Sequence, residues 1–212
     1  RPYQYFVAAA PGLKELLTIG KVWYEERQRQ SDSQRPRWDL LIIDLPATGH
    51  GLQYLRMPRA AKETFNEGIV RREAERIEAW LLDADKTAVN LITTAEELPV
   101  NEMLDAYHQL REKLQLPVGA LFINRVHETP LTLAALSQIR PSAKGTREEK
   151  QLAKHILACA QTETTFVEEQ EQNLRPLQSL ALPQMRLPFC RTEEFGPTQI
   201  AELADCIAAR LN

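Results

Sequence analysis

Leu13, Leu16, Leu17, Trp23 and Tyr24, with Gly20 among them, recur at helical spacing behind Pro11 and Gly12, and the polar run Glu25 to Arg37 follows. This predicts a helix running out into a charged loop. The stretch Asp39-Leu-Leu-Ile-Ile-Asp44 is apolar without alternation, the pattern of a short strand covered on both faces in a parallel sheet. Pro46, Gly49 and Gly51 break the chain after Asp44, and Phe65, Ile69, Ile77, Trp80 and Leu81 give one apolar side to a helix from about Lys62 to Leu82.

Ala88 to Thr93 reads as a second covered strand, and Val118 to Asn124 as a third. Between them Pro99 opens a helix at a place where its missing donor costs nothing. Val100, Met103, Leu104, Tyr107, Leu110 and Leu114 form its apolar stripe. Leu131 to Arg140 and Arg147 to about Glu171 have helical patterns, Met185 to Leu187 offers a last short strand, and Thr198 to Leu211 closes with a stripe of Ile200, Leu203, Ala204, Ile207 and Leu211. Strands alternating with helices predict an α/β fold with a parallel sheet and helices on both faces. No internal repeat interrupts the order, so residues 1–212 are expected to form a single α/β domain.

Composition narrows the function classes. Twenty-nine acids against twenty-six bases leave a net charge of -3, without the global positive field that holds a phosphate backbone, so nucleic acid is not an expected partner. No apolar run reaches the roughly 18 residues of a membrane span. Cys159, Cys190 and Cys206 form no Cys-x-x-Cys pair, which speaks against structural zinc and, as a sparse odd count, suits a reducing cytoplasm. His50, His108, His127 and His155 are too scattered to make a site.

In open parallel sheets ligands bind at the carboxyl ends of strands. Those ends carry Asp44 with its Pro46-Ala47-Thr48-Gly49-His50 turn, then Thr94-Ala95-Glu96-Glu97, then Asn124-Arg125. A carboxylate before a glycine-containing turn suits a magnesium-bound nucleotide, the acid holding a metal water and the turn sensing the terminal phosphate. Capping of the next helix by Asp44 fits the same spacing.

The segment Trp38 to Pro58, which includes Asp44-Leu-Pro-Ala-Thr-Gly-His50, resembles the switch II region of the ArsA-type anion-transporting ATPases, a family that includes the ATPase targeting tail-anchored membrane proteins. Three further segments are similar in the same order: Glu96-Glu-Leu-Pro-Val-Asn-Glu102, Phe122-Ile-Asn124-Arg-Val126 and Leu187-Pro-Phe-Cys-Arg-Thr-Glu-Glu194. The resemblance implies a P-loop NTPase fold of the deviant Walker A type with ATP and Mg2+, a cytoplasmic homodimer, and a membrane channel or a client protein as partner. It implies that Asp44 sits by the magnesium through a water and is catalytic, and that Pro46, Ala47, Thr48, Gly49 and His50 form the switch. Glu96 would lie near the nucleotide, Asn124 would read the adenine edge, and Pro188, Phe189, Cys190, Arg191, Thr192, Glu193, Glu194 and Phe195 would cover the base. A helical insert would occupy about 59–85.

The sequence departs from this family at one decisive point. It contains no Gly-x-x-x-x-Gly-Lys-Ser/Thr loop to cradle phosphates; Gly20-Lys21 is followed by Val22 and lies within a helical pattern. The chain is thus expected to match the C-terminal two thirds of such an ATPase, its phosphate loop lying in a missing N-terminal segment or on a partner, and to be inactive alone. A degenerate, non-catalytic paralogue acting as a binding module is the alternative. The loop after Asp44 has no cysteine, so arsenite is not the expected substrate. Leu131 to Thr146 carries no metal ligand where the tail-anchor-targeting members bind zinc.

Overall fold

The computed structural model describes residues 12–129 and 145–211. The chain divides into two compact units, Arg1–Val89 with Asp105–Gly119, and Asn90–Leu104 with Ala120–Asn212. The helix expected over Leu131 to Arg140 lies outside the described residues.

The first unit is built mainly from helices. Helix α1, Leu13–Glu26, starts behind Gly12, whose left-handed φ of 86° suits glycine. A Cβ at Gly12 would also collide with the Met57 side chain. The buried side of α1 centres on Ile19, flanked by half-buried Leu16 and Trp23, while Leu17 and Tyr24 of the expected stripe face outward. Beyond it the Trp38 indole donates to Glu25 at 3.2 Å. Hydrogen bonds from Lys21 and Trp38 hold the Glu25 carboxyl below its ordinary value.

Asp39 to Asp44 does not form the expected strand. Leu40 is 75% exposed and Ile42 85%, and among the described residues no backbone partner pairs with this run. A parallel strand covered on both faces exists only when neighbours supply ladders and side chains, and the described residues supply neither here.

The helix expected over Lys62 to Leu82 is two helices, α2 at Thr48–Thr64 and α3 at Ile69–Leu82. The chain turns extended at Phe65, and Gly68 takes φ 102°, so Phe65 and Ile69 end up exposed at the break instead of continuing an apolar side. Residues 59–64 of the expected insert thus continue a helix that began at Thr48. On α3 the buried positions are Ala74, Ile77, Glu78 and Leu81, an i, i+3, i+4, i+7 stripe containing one carboxylate.

That carboxylate is fully engaged. Arg59 donates to Glu78 at 2.9 Å through Nε, and Lys62 donates to its other oxygen. The Arg59 guanidinium also reaches the carbonyls of Lys113 at 2.5 Å and Leu114 at 3.3 Å. These belong to a π-helical turn, Gln109–Leu114, which ends at a left-handed Gln115. Helix-end carbonyls lack intrahelical partners, so one guanidinium ties α2 to α3 and caps the turn together. Burial pushes the Glu78 carboxyl up, but the hydrogen bonds and charges of Lys62 and Arg59 outweigh it and hold the group below 4.5.

The second unit carries the sheet. Strands β1 (Val89–Thr94), β2 (Val118–Val126) and β3 (Gln184–Pro188) lie in the order β1-β2-β3 and run parallel, so three of the four expected strands form and the chain is an α/β protein. Central β2 buries Ala120, Leu121, Ile123 and Val126. β1 alternates instead of being covered on both faces: Leu91 and Thr93 are buried, while Ile92 is 69% exposed. Helix α4, Glu97–His108, follows β1. Helix α5, Arg147–Leu174, opens with a capping box in which Thr146 and Glu149 satisfy each other's backbone N–H groups at 3.2 and 2.7 Å. Helix α6, Pro197–Leu211, packs beside β3.

Replacing Glu78 by Gln should lower stability at pH 7 by about 1–3 kcal/mol, since two cations lose their counter-charge at a mostly buried site. Because the folded carboxyl titrates below 4.5, its contribution is complete above the unfolded value and disappears as pH falls through the folded one. Urea unfolding of both proteins should therefore show the gap at pH 7 closing in the acid range; a gap independent of pH would remove the charge as its cause.

Candidate functional site

The carboxyl ends of β1, β2 and β3 share one edge of the parallel sheet, and they carry Ala95-Glu96, Asn124-Arg125 and the segment from Pro188 to Phe195 respectively. Val126 pairs with Pro188, and the Phe189 N–H donates to the Val126 carbonyl at 2.9 Å, which brings the loop after β3 beside the end of β2. Glu96 is exposed at the start of α4, where its carbonyl accepts from Val100 at 3.1 Å.

Asn124 is half-buried, and its Oδ1 accepts from the Arg125 N–H at 2.9 Å. Its amide nitrogen has no partner among the described residues. A side-chain amide so placed keeps two donors and a spare acceptor lone pair, enough to read a ligand edge that both donates and accepts. The loop after β3 is tied internally: Thr192 Oγ1 donates to the Glu194 carbonyl at 2.8 Å, and the Gly196 N–H donates to Gln199 at 3.0 Å. Cys190 is half-buried, Glu193 is exposed, and Phe195 is exposed with no aromatic partner among the described residues.

One face of α5 holds all three strand ends. Glu163 pairs with Arg191 after β3. Phe166 meets the His127 ring edge-on at 4.9 Å. The Gln170 amide accepts from the His127 N–H at 2.9 Å and donates to the His127 carbonyl at 3.0 Å, and Asn173 donates to the Ala95 carbonyl at 3.2 Å. Positions 163, 166, 170 and 173 lie on one side of a helix. Ten residues span about 15 Å of helix, while three strands span about 10 Å, so α5 crosses the strand ends at a slant, from β3 to β1. A bidentate pair, Arg186 to Glu171 at 2.5 and 3.0 Å, joins β3 itself to the same helix.

In the other unit, Asp44 is exposed, and its carboxylate has no hydrogen bond or ion pair among the described residues. Pro46 and Ala47 precede α2, and Thr48, Gly49 and His50 form its first turn, so the expected switch turn is half loop and half helix. The His50 N–H donates to the Ala47 carbonyl at 2.9 Å. Gly51 is required by close approach, since a Cβ there would lie 2.7 Å from the Pro46 carbonyl oxygen. Magnesium commonly keeps several waters and takes one or two carboxylates plus substrate phosphates, so a single free carboxylate fits the role expected of Asp44. Among the described residues no group of three or more His, Cys, Asp or Glu is placed to hold a metal by itself.

Sequence reasoning placed Arg125 at the strand end without giving it a role, set His127 aside as one of four scattered histidines, and missed Gln170. Gln170 sits in a Gln/Glu-rich stretch that reads as solvated, yet it is 3% exposed. The spacing of Glu163, Phe166, Gln170 and Asn173 was the available signal.

No family model matches the sequence. The chain is 29% identical over 197 residues to the protein named ATPase BagA of Mycobacterium tuberculosis, and equally to "Putative ATPase Mb3704" of Mycobacterium bovis. Each alignment covers 87% of this chain and 57% of the relative, so the chain spans just over half the length of the curated relatives it matches. The likeness is thus to proteins named as ATPases, and the fold beneath it is an α/β parallel sheet. Among the described residues no helix is long and apolar enough to cross a membrane.

Gln170→Ala should cost about 1–3 kcal/mol, because it leaves a part-buried N–H and carbonyl of His127 unpaired. Denaturant unfolding measures the loss. Amide exchange should show His127 losing protection ahead of the β2 core, and equal loss throughout would mean the clamp has no local role.

Proposed function

We propose that this chain is the base-binding and switch portion of an ATP-hydrolysing, ArsA-like ATPase whose phosphate loop lies outside residues 1–212. The observation that carries the proposal is the common position of Glu96, Asn124, whose amide nitrogen has no partner among the described residues, and the Pro188 to Phe195 loop at the carboxyl edge of one parallel sheet, where α/β folds bind nucleotides. The likeness to proteins named ATPases supports the same reading. So does the bare apolar run Leu40 to Ile43, whose exposure is what a strand without its sheet neighbour displays.

In this reading Asn124 recognises the adenine edge, Glu96 lies near the nucleotide, and the loop after β3 covers the base. Asp44 holds a magnesium water, and the metal supplies charge neutralisation for the phosphates. The first turn of α2 follows the presence of the terminal phosphate, because a helix start with unpaired N–H groups responds to a nearby anion. ATP turnover would open and close a homodimer, and through it drive ion extrusion or the handling of a client protein. A nucleotide-binding but catalytically silent module is the second reading; the lack of any phosphate-cradle motif in this sequence favours it.

Asp44→Asn in the intact protein decides between them. The ATPase reading expects phosphate release to fall about a hundredfold or more with ATP binding retained. Turnover that survives the substitution would take Asp44 out of the chemistry, and a wild-type protein that binds ATP without turning it over would leave the silent module.

A further inference from the structure

Arg125 is the most unusual residue at the strand ends. Its φ is 57°, a left-handed conformation that non-glycine residues with a Cβ adopt rarely and at a cost. It sits in an irregularity of the β2–β3 register between Ile123 and Val126, where the alternation that sends consecutive side chains to opposite faces is broken. The surroundings hold it there: Asn124 accepts from its N–H, and two residues on, the Gln170 clamp fixes the backbone of His127. Strain kept in place by such over-determination collects at ligand sites.

The side chain's setting matters as well. In the second unit Arg186 and Arg191 face glutamates, whereas Arg125, like Arg147 and Arg175, has no ion pair among the described residues. The Arg125 guanidinium is exposed, has no carboxylate or hydrogen-bond partner among the described residues, and lies 5.5 Å from the Phe189 ring centroid. Phe189 in turn stacks on His127, with centroids 4.3 Å apart and planes 13° from parallel. Planar, weakly hydrated and unpaired, a guanidinium beside a stacked aromatic pair is suited to lie against another flat π system.

We propose that Arg125, with Phe189 and His127, forms the stacking wall for the purine base, so that Arg125 is a specificity-determining residue that acts on the face of the base while Asn124 acts on its edge. This rests on the nucleotide reading above. Gln170 is the positioning residue behind the wall, since it fixes the backbone of His127 without facing the ligand.

The test is nucleotide binding by the intact protein, read as displacement of bound mant-ADP by ADP and, separately, by pyrophosphate, which has no base. Asparagine tolerates left-handed backbone, so Arg125→Asn removes the guanidinium without new strain. A stacking wall expects ADP affinity to fall about tenfold in Arg125→Asn, pyrophosphate affinity to stay unchanged, and Arg125→Lys to recover little, because an ammonium keeps the charge and loses the plane. Equal loss for ADP and pyrophosphate, full recovery with lysine, or unchanged ADP affinity would each overturn the proposal while leaving the nucleotide reading intact. A wild-type protein that binds neither mant-ADP nor ADP would instead end the nucleotide reading.

Discussion

A parallel strand that runs past the end of its sheet leaves backbone groups the ladder no longer pairs, and where they are partly buried they need another partner. At the end of β2 that partner is the Gln170 amide, which closes on both polar groups of His127. The second unit is organised around this constraint. With the loop after β2 fixed, Phe189 has a surface to stack on, Asn124 is left to hold only its neighbour's N–H, and α5 is set at the slant that lets it reach the loops on either side. The polar residues on that helix face therefore do positional work that an apolar stripe could not, because the groups they meet are carbonyls, an N–H and a guanidinium.

The first unit solves a different problem by similar means. Glu78 occupies a position on α3 that its helical stripe reserves for burial, and Arg59 and Lys62 of α2 make its charge tolerable. A pair of this kind adds little net stability compared with a well-packed apolar residue, but removing one member is costly. Arg59 gains a second use from its forked geometry, since the same guanidinium satisfies carbonyls at the end of the π-helical turn.

Much of this was legible in the sequence where local pattern and tertiary environment agree. β2 and β3 were predictable because their apolar runs match the surfaces they cover; α5 and α6 form close to their expected bounds, but Ile200 of the expected α6 stripe is exposed and the buried positions of α5 are mostly polar. The position of Asn124 and Glu96 at strand ends was legible because residues that close parallel strands are placed by topology alone. The failures have physical causes. Leu40 to Ile43 has the composition of a covered strand, but composition cannot say whether a neighbour is present to cover it. The break at residues 65–68 was hidden because Phe65 and Ile69 continue an apolar period across Gly68, whose positive φ ends the helix. Gln170 was invisible because a buried amide and a solvated one look alike in a Gln/Glu-rich stretch, and Arg125 because sequence carries no mark of a left-handed residue that is not glycine or asparagine.

The bare run between Asp39 and Asp44 carries a hazard as well as a clue. Four consecutive aliphatic residues whose backbone has no partner among the described residues offer a template on which another chain can add a strand. The two aspartates bracket that template like gatekeepers, since in-register stacking of copies would line up like charges at each end. On this view Asp44 also serves solubility: a substitution that neutralises it strips one guard from the segment, and preparations of such a protein would call for low concentration and attention to aggregates.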